Sequence, residues 1–311
     1  MPRQAIAQNS PKHQHWVPQF YLRYYATTET RKTKQPKVWI FSRDESDGDE
    51  KLTNIRNVCG QRYLYSPAIG AGDRDWTLEN ILRDLESDLA RIWPTLAEDY
   101  VALDDASLRK IVALFLAVTY LRHPEVRAQT ESIHARLVEA YDAAPKRLDG
   151  TPDVEAMEIN GRSYTVSTDG WHDYCTWGKP EHDRFFAHLI RSDAMRIAEH
   201  LVQKRWSIVF ANEDTFITSD KPVGLQHETR EKFGIEGQGT IINFPISPTR
   251  LLVLDDMHSE PANQYYPLKE GNGAAFNFTI WRSASRFLIT GRSVREVLIE
   301  MLSLDDGDAA T

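Results

Sequence analysis

Cysteine is nearly missing from the chain: Cys59 and Cys175 are the only two among 311 residues. That scarcity excludes a disulfide framework and a cysteine-rich zinc site within the chain, and both residues read as small buried apolar side chains. No run of about 18 or more apolar residues is present, the length a membrane-crossing helix requires. Met1-Pro2-Arg3-Gln4 lacks the basic, apolar and small-residue succession of a signal peptide. The expected location is therefore the cytoplasm, with no membrane partner. Four motifs are also absent: the Gly-x-x-x-x-Gly-Lys-Ser/Thr phosphate loop, the Gly-x-Ser-x-Gly elbow, the His-Glu-x-x-His helix, and a Gly-x-Gly-x-x-Gly turn between strand and helix. Gly234-Ile235-Glu236-Gly237-Gln238-Gly239 reads as a plain loop, because the segment after it, Thr240 to Ile246, reads as a strand. NTPase, serine hydrolase, zincin and dinucleotide chemistry drop out, and no cofactor is evident.

What is present suffices for a sizeable core, since 41% of residues are apolar. The net charge of -8 argues against a surface devoted wholly to phosphate. Basic residues are nonetheless concentrated near the start, where Arg23, Arg31, Lys32, Lys34 and Lys37 face the single acid Glu29. This island reads either as a solvated arm or as a local footprint for nucleic acid.

The periodicity predicts an α+β fold: an N-terminal hairpin, a helical middle section and an antiparallel sheet in the C-terminal half. The hairpin is Lys37 to Phe41 with Lys51 to Thr53, joined by the acidic turn Asp44 to Asp49. Leu78 to Trp93 has apolar residues at helical spacing, with Thr77 as N-cap, Glu79, Asp84 and Glu86 on the wet face, and Pro94 ending or kinking the helix. Leu108 to Arg122 is apolar almost all round, so it reads as a buried helix capped by Asp104 or Asp105. Pro124 opens another helix, which turns Ile133, Leu137 and Val138 to one side. Residues 143–170 read as a surface insertion, and a helix through Phe185 to Leu201 follows. From Trp206 the period becomes extended, with strands at Trp206 to Ala211, Thr215 to Thr218, Thr240 to Ile246 and Leu251 to Leu254, and a long loop over 222–239. A helix at Ala274 to Ala284, a strand at Phe287 to Thr290 and a helix at Val294 to Met301 close the pattern. One domain over 13–302, between loose ends at 1–12 and 303–311, is expected.

His13-Gln14-His15-Trp16-Val17-Pro18-Gln19-Phe20-Tyr21-Leu22-Arg23 gathers two imidazoles, amides, a phenol and a guanidinium. Two His separated by one residue point the same way on an extended backbone, a spacing compatible with a divalent metal or a phosphate oxygen. Pro18 favours a helix start that brings Gln19 and Arg23 together. The plainer alternative is that the aromatics pin the segment to the core while the imidazoles cap it. Phe216-Ile217-Thr218-Ser219-Asp220 is a strand that ends in small polar side chains, offering Asp220 as base, metal ligand or orienting carboxylate, or else as a turn former. Arg122, at the end of the buried helix, suits bidentate recognition of an anion or a structural pairing with a core acid. The ring-rich stretch Trp171, His172, Trp177, His182, His188 follows no metal spacing and reads as packing.

His15-Trp16-Val17-Pro18-Gln19-Phe20-Tyr21-Leu22-Arg23 resembles the opening signature, His-Tyr-Val-Pro-Gln-Phe-Tyr-Leu-Arg, of a microbial domain-of-unknown-function family. The likeness continues in order through Tyr63-Leu64-Tyr65, Tyr120-Leu121-Arg122, Phe216 to Asp220 with Pro222, Leu251 to Leu254, and Asn277 before Arg286 to Ile289. Trp16 stands where the family more often shows Tyr, and Lys221 where it more often shows Asn. The resemblance implies an α+β fold and no particular activity.

Two readings follow. In the first the protein is a nuclease-like hydrolase of phosphodiesters, with His13, His15, Asp220 and Arg122 catalytic and Gln19, Tyr21, Arg23, Thr218 and Asn277 binding substrate. In the second it is a non-catalytic module that recognises nucleic acid or protein through its basic segment. The first reading expects His15, Arg23, Arg122 and Asp220 to line one concavity.

Overall fold

The computed structural model describes residues 12–43, 50–70, 72–159, 162–227, 229 and 233–303. Of the loose ends expected at 1–12 and 303–311, all but residues 12 and 303 lie outside the described residues, as does the expected acidic turn over 44–49. In chain order, β1 (His13–His15), α1 (Gln19–Leu22), β2 (Lys37–Ser42), β3 (Glu50–Asn54) and β4 (Gly60–Arg62) come first. Helices α2 (Thr77–Glu98), α3 (Ala106–Leu121) and α4 (Pro124–Asp142) follow, then the hairpin β5 (Ala156–Ile159) and β6 (Arg162–Thr165), then α5 (Trp171–Cys175) and α6 (Lys179–Gln203). The remainder is β7 (Arg205–Phe210), β8 (Thr218–Ser219), β9 (Gly224–His227), β10 (Thr240–Ser247), β11 (Arg250–Asp255), β12 (Gln264–Pro267), α7 (Asn272–Ser283), β13 (Phe287–Thr290) and α8 (Val294–Leu302). The fold class is α+β.

Two larger sheets organise most of the strands, beside the two-stranded sheets β1-β4 and β5-β6. One runs β12-β7-β11-β10-β9, and the other runs β3-β2-β13-β8, so the N-terminal hairpin shares a sheet with the last strand. Pairing within the second is antiparallel, with Ile40 opposite Ile289. In the first sheet β7, β11, β10 and β9 pair antiparallel as expected, and β12, a strand the pattern did not name, joins β7 in parallel. A continuous apolar cluster reaches from Val17 to Ile289. At its centre Phe20, Trp93, Phe115 and Phe244 meet mostly edge to face, with ring centroids 5.1 Å apart for Trp93 and Phe115, the arrangement aromatic quadrupoles favour.

Local rules account for most boundaries. The Asp105 carboxylate accepts from the Leu108 amide at 2.7 Å and caps α3. Pro94 does not end α2, which continues to Glu98. It lies on the exposed side, and the carbonyl it deprives of a donor belongs to exposed Ala90, where water can substitute. Thr77 is the first helical residue and not the cap. In α4, Ile133 is exposed while His134 is buried against Tyr174, Trp177 and His182, so rings from α5 and α6 reset the face that apolar spacing suggests. Of the expected strand Thr215 to Thr218 only Thr218 pairs, within β8, and β9 occupies part of the expected loop. Cys59 is buried as expected, but Cys175 is only half-buried.

Candidate functional site

Strand β1 is fixed from its buried side. The Gln14 side chain donates to Ser66 Oγ at 2.6 Å and accepts from the Tyr65 amide at 2.7 Å. With Gln14 inward, alternation turns His13 and His15 to the opposite face, where their rings meet edge to face at 4.9 Å. The partner strand β4 places Gly60 opposite His15. A methyl group at Gly60 would overlap His13 Nε2, so the imidazole can lie there only over a residue without a side chain.

These imidazoles line a cleft of about 330 Å³ with Gln19 and Phe20 from α1, Glu79, Leu82, Arg83 and Glu86 from α2, and Arg122 from the end of α3. The His15 Nε2–H donates to the Arg56 carbonyl at 3.0 Å, which leaves Nδ1 as the basic nitrogen, 3.4 Å from the Gln19 amide nitrogen. Burial lowers the pKa of His15, assisted by nearby His13 and Arg122 and opposed by the Arg56 carbonyl, so the neutral ring is favoured. Glu79 moves the other way. Burial, and secondly the negative charge of Glu86, raise its pKa to about 7 against the pull of Arg122.

The Arg122 side chain is 1% exposed. Its Nη1 donates to Glu86 Oε1 at 2.6 Å, while Nε and Nη2 have no partner among the described residues. Those two nitrogens form the side-on edge of the guanidinium, the fork that holds two oxygens of a phosphate or carboxylate. A buried donor left in this state is costly, and a bound anion would relieve it.

The structure thus brings His13, His15, Gln19 and Arg122 together and places the other expected residues elsewhere. The two oxygens of the Asp220 carboxylate accept from the Ser285 and Arg286 amides at 3.0 and 2.9 Å, which ties the turn before β13, and its carbonyl accepts from the Trp16 indole at 2.9 Å. Burial raises its pKa against those amides, and it is not among the lining residues. Arg23 leaves the short helix α1 and donates to the carbonyls of Arg31 and Thr33 at 3.0 and 2.9 Å. The Tyr21 hydroxyl donates to the Pro245 carbonyl and meets Thr218 Oγ1, both at 2.7 Å, inside the core. Asn277 clamps a backbone segment, accepting from the Ile217 amide and donating to the Thr215 carbonyl. Of the three acids expected on the wet face Asp84 is exposed, while Glu79 and Glu86 are half-buried on the cleft wall. Their signal lay in the spacing, because 79, 82, 83 and 86 form one helical stripe, but nothing local says that β1 and α1 cover it.

A larger hollow of about 1480 Å³ lies beside Tyr120, Glu125, Lys221, Gln226, His227 and Arg282. There the Lys221 ammonium is satisfied by Glu125 at 2.7 Å, and the other lining cation, Arg282, is exposed, in contrast to the buried guanidinium of the smaller cleft. No group of three or more His, Cys, Asp or Glu among the described residues is arranged to hold a metal ion, and no helix among them is long and apolar enough to cross a membrane.

Fold and cleft together define an α+β protein whose polar concavity joins two imidazoles, two carboxyl groups and a guanidinium paired through one of its nitrogens. The chain belongs to the family described as "Protein of unknown function (DUF4238)", which matches residues 13–293. No curated protein and no solved structure matches it.

Proposed function

We propose that the cleft is the active site of a hydrolase acting on phosphodiesters. The observation that carries this reading is the meeting of His15, Glu79 and the buried Arg122, whose Nε and Nη2 have no partner among the described residues, in one concavity. Opposite pKa shifts in neighbouring groups assign the roles of base and acid. A non-bridging phosphate oxygen pair takes the Arg122 fork, and His15 Nδ1 removes a proton from the attacking water. The water oxygen bonds to phosphorus, the ester P–O bond breaks, and the departing oxygen takes its proton from Glu79. Solvent then returns the proton held by His15 to Glu79. The test is hydrolysis of bis(p-nitrophenyl) phosphate by the pure protein, with and without a chelator and added divalent metal. His15→Ala should lower turnover by about two to four orders of magnitude, and cleavage unaffected by His15→Ala would reject the reading.

A specific observation also favours recognition of nucleic acid. Lys32 and Lys34 are exposed on a turn braced by Arg23 and by the hydroxyls of Thr27, Thr30 and Thr33, and Lys37 is exposed at the start of β2 beside it, which displays three cations together. In that case neutralising the three lysines would flatten the salt dependence of RNA or DNA binding by about three in the log–log slope.

A further inference from the structure

We infer, resting on the hydrolase reading, that the substrate is a single small phosphodiester, such as a cyclic nucleotide, and not the backbone of a polymer. The first argument is capacity. At about 330 Å³ the cleft sits at the lower end of the roughly 300–1,000 Å³ that small-molecule sites occupy. The second is the number of phosphate positions. Arg122 offers one vacant fork, while the other lining guanidinium, Arg83, is half exposed and lies 3.4 Å from Asp84. A polynucleotide brings a charge at every nucleotide and is held by a row of cations, yet Lys32, Lys34 and Lys37 do not line this cleft.

The third argument is sign. Glu86 is committed to Arg122, and Glu79 shares the wall. One phosphodiester charge placed on Arg122 is tolerated there, whereas the flanking phosphates of a strand would be driven against the Glu86 carboxylate without a cation of their own. Phe20 and Leu82 give the same wall an apolar stretch that suits the organic group of a compact ester. The reaction is the balanced one above: a cyclic ester takes up one water, and one P–O bond opens to give a phosphomonoester and an alcohol.

The experiment compares the full-length protein on bis(p-nitrophenyl) phosphate, 2′,3′-cyclic and 3′,5′-cyclic nucleotides, and a single-stranded RNA oligomer. At least one small ester should be cleaved with a kcat/KM about tenfold or more above that for any bond in the oligomer. Arg122→Lys, which keeps the charge but removes the fork, should lower that value by about 10²–10³-fold. Inorganic phosphate should raise the Tm of the native protein and leave that of Arg122→Lys unmoved, a readout that needs no turnover and that also shows whether the variant folds. Cleavage of the oligomer as fast as the small esters overturns the inference and leaves the hydrolase reading standing. Cleavage of none of these substrates by the native protein removes both. A phosphate response that persists in Arg122→Lys overturns the placement of the anion.

Discussion

Whether Glu79 gives up a proton or merely shapes the cleft can be read from the leaving group. p-Nitrophenolate departs without protonation and an alkoxide does not, so Glu79→Gln should be nearly silent on bis(p-nitrophenyl) phosphate and cost about 10²–10⁴-fold on a cyclic nucleotide. An equal loss on both would show a positioning role. The same residue sets a pH dependence of stability. Its pKa is raised from 4.5 to about 7, so the native state holds the proton more tightly than the unfolded chain. Its contribution is fully present below pH 4.5, declines as pH rises to about 7, and is gone above. Allowing for partial exposure, the span is on the order of 1–3 kcal/mol. Denaturant titrations at pH 5 and pH 8 should show Glu79→Gln abolishing that difference while gaining stability at the higher pH. His123 acts with the opposite sign. Burial holds its pKa well below the usual value, so its contribution is lost as pH falls below about 6.5.

At the scale of elements, β1 and β4 hold the imidazoles, and Gly60 is the point where that support is most exacting. Gly60→Ala should displace His13 and lower turnover while leaving the far-UV circular dichroism unchanged; loss of the whole spectrum would mean that the strand pair itself fails. In α3, Phe115 is 1% exposed and packs on Trp93, Phe20 and Phe244. Phe115→Ala should therefore cost about 3–5 kcal/mol, measured by urea titration, and a cost below about 1 kcal/mol would contradict that burial. Elements of this kind were legible in the sequence because their information is local: the cap at Asp105, the apolar run of α3, the β-branched run Phe287 to Thr290 that matches β13 residue for residue. The cleft was legible only in part. His15, Gln19 and Arg122 stood out as polar groups among apolar neighbours. Glu79 and Glu86 looked like ordinary solvent-facing acids, since the elements that cover them lie more than fifty residues earlier in the chain. Asp220 and Asn277 carried a polar signal that serves backbone groups instead, and side-chain chemistry alone does not separate those uses.

For the molecule as a whole, the four-stranded sheet joins the ends of the described chain, and β13 lies between β2 and β8. The order in which a ribosome releases the chain therefore matters. The hairpin β2–β3 emerges early, with one edge of β2 unpaired until residues 287–290 arrive, and the turn that Asp220 ties at Ser285 and Arg286 emerges just before them. An unpaired strand edge invites association with other chains, and contacts this distant in sequence form slowly. A nascent chain arrested before β13 should thus be sticky and sensitive to protease, and one extended past α8 should become resistant in a single step, which pulse proteolysis of stalled ribosome complexes would record. Lys37 and Lys51 sit on that waiting hairpin, on β2 and β3. Their charge repels a second copy of the edge during the interval, so replacing both with Thr should raise aggregation during synthesis more than it changes the stability of the finished protein.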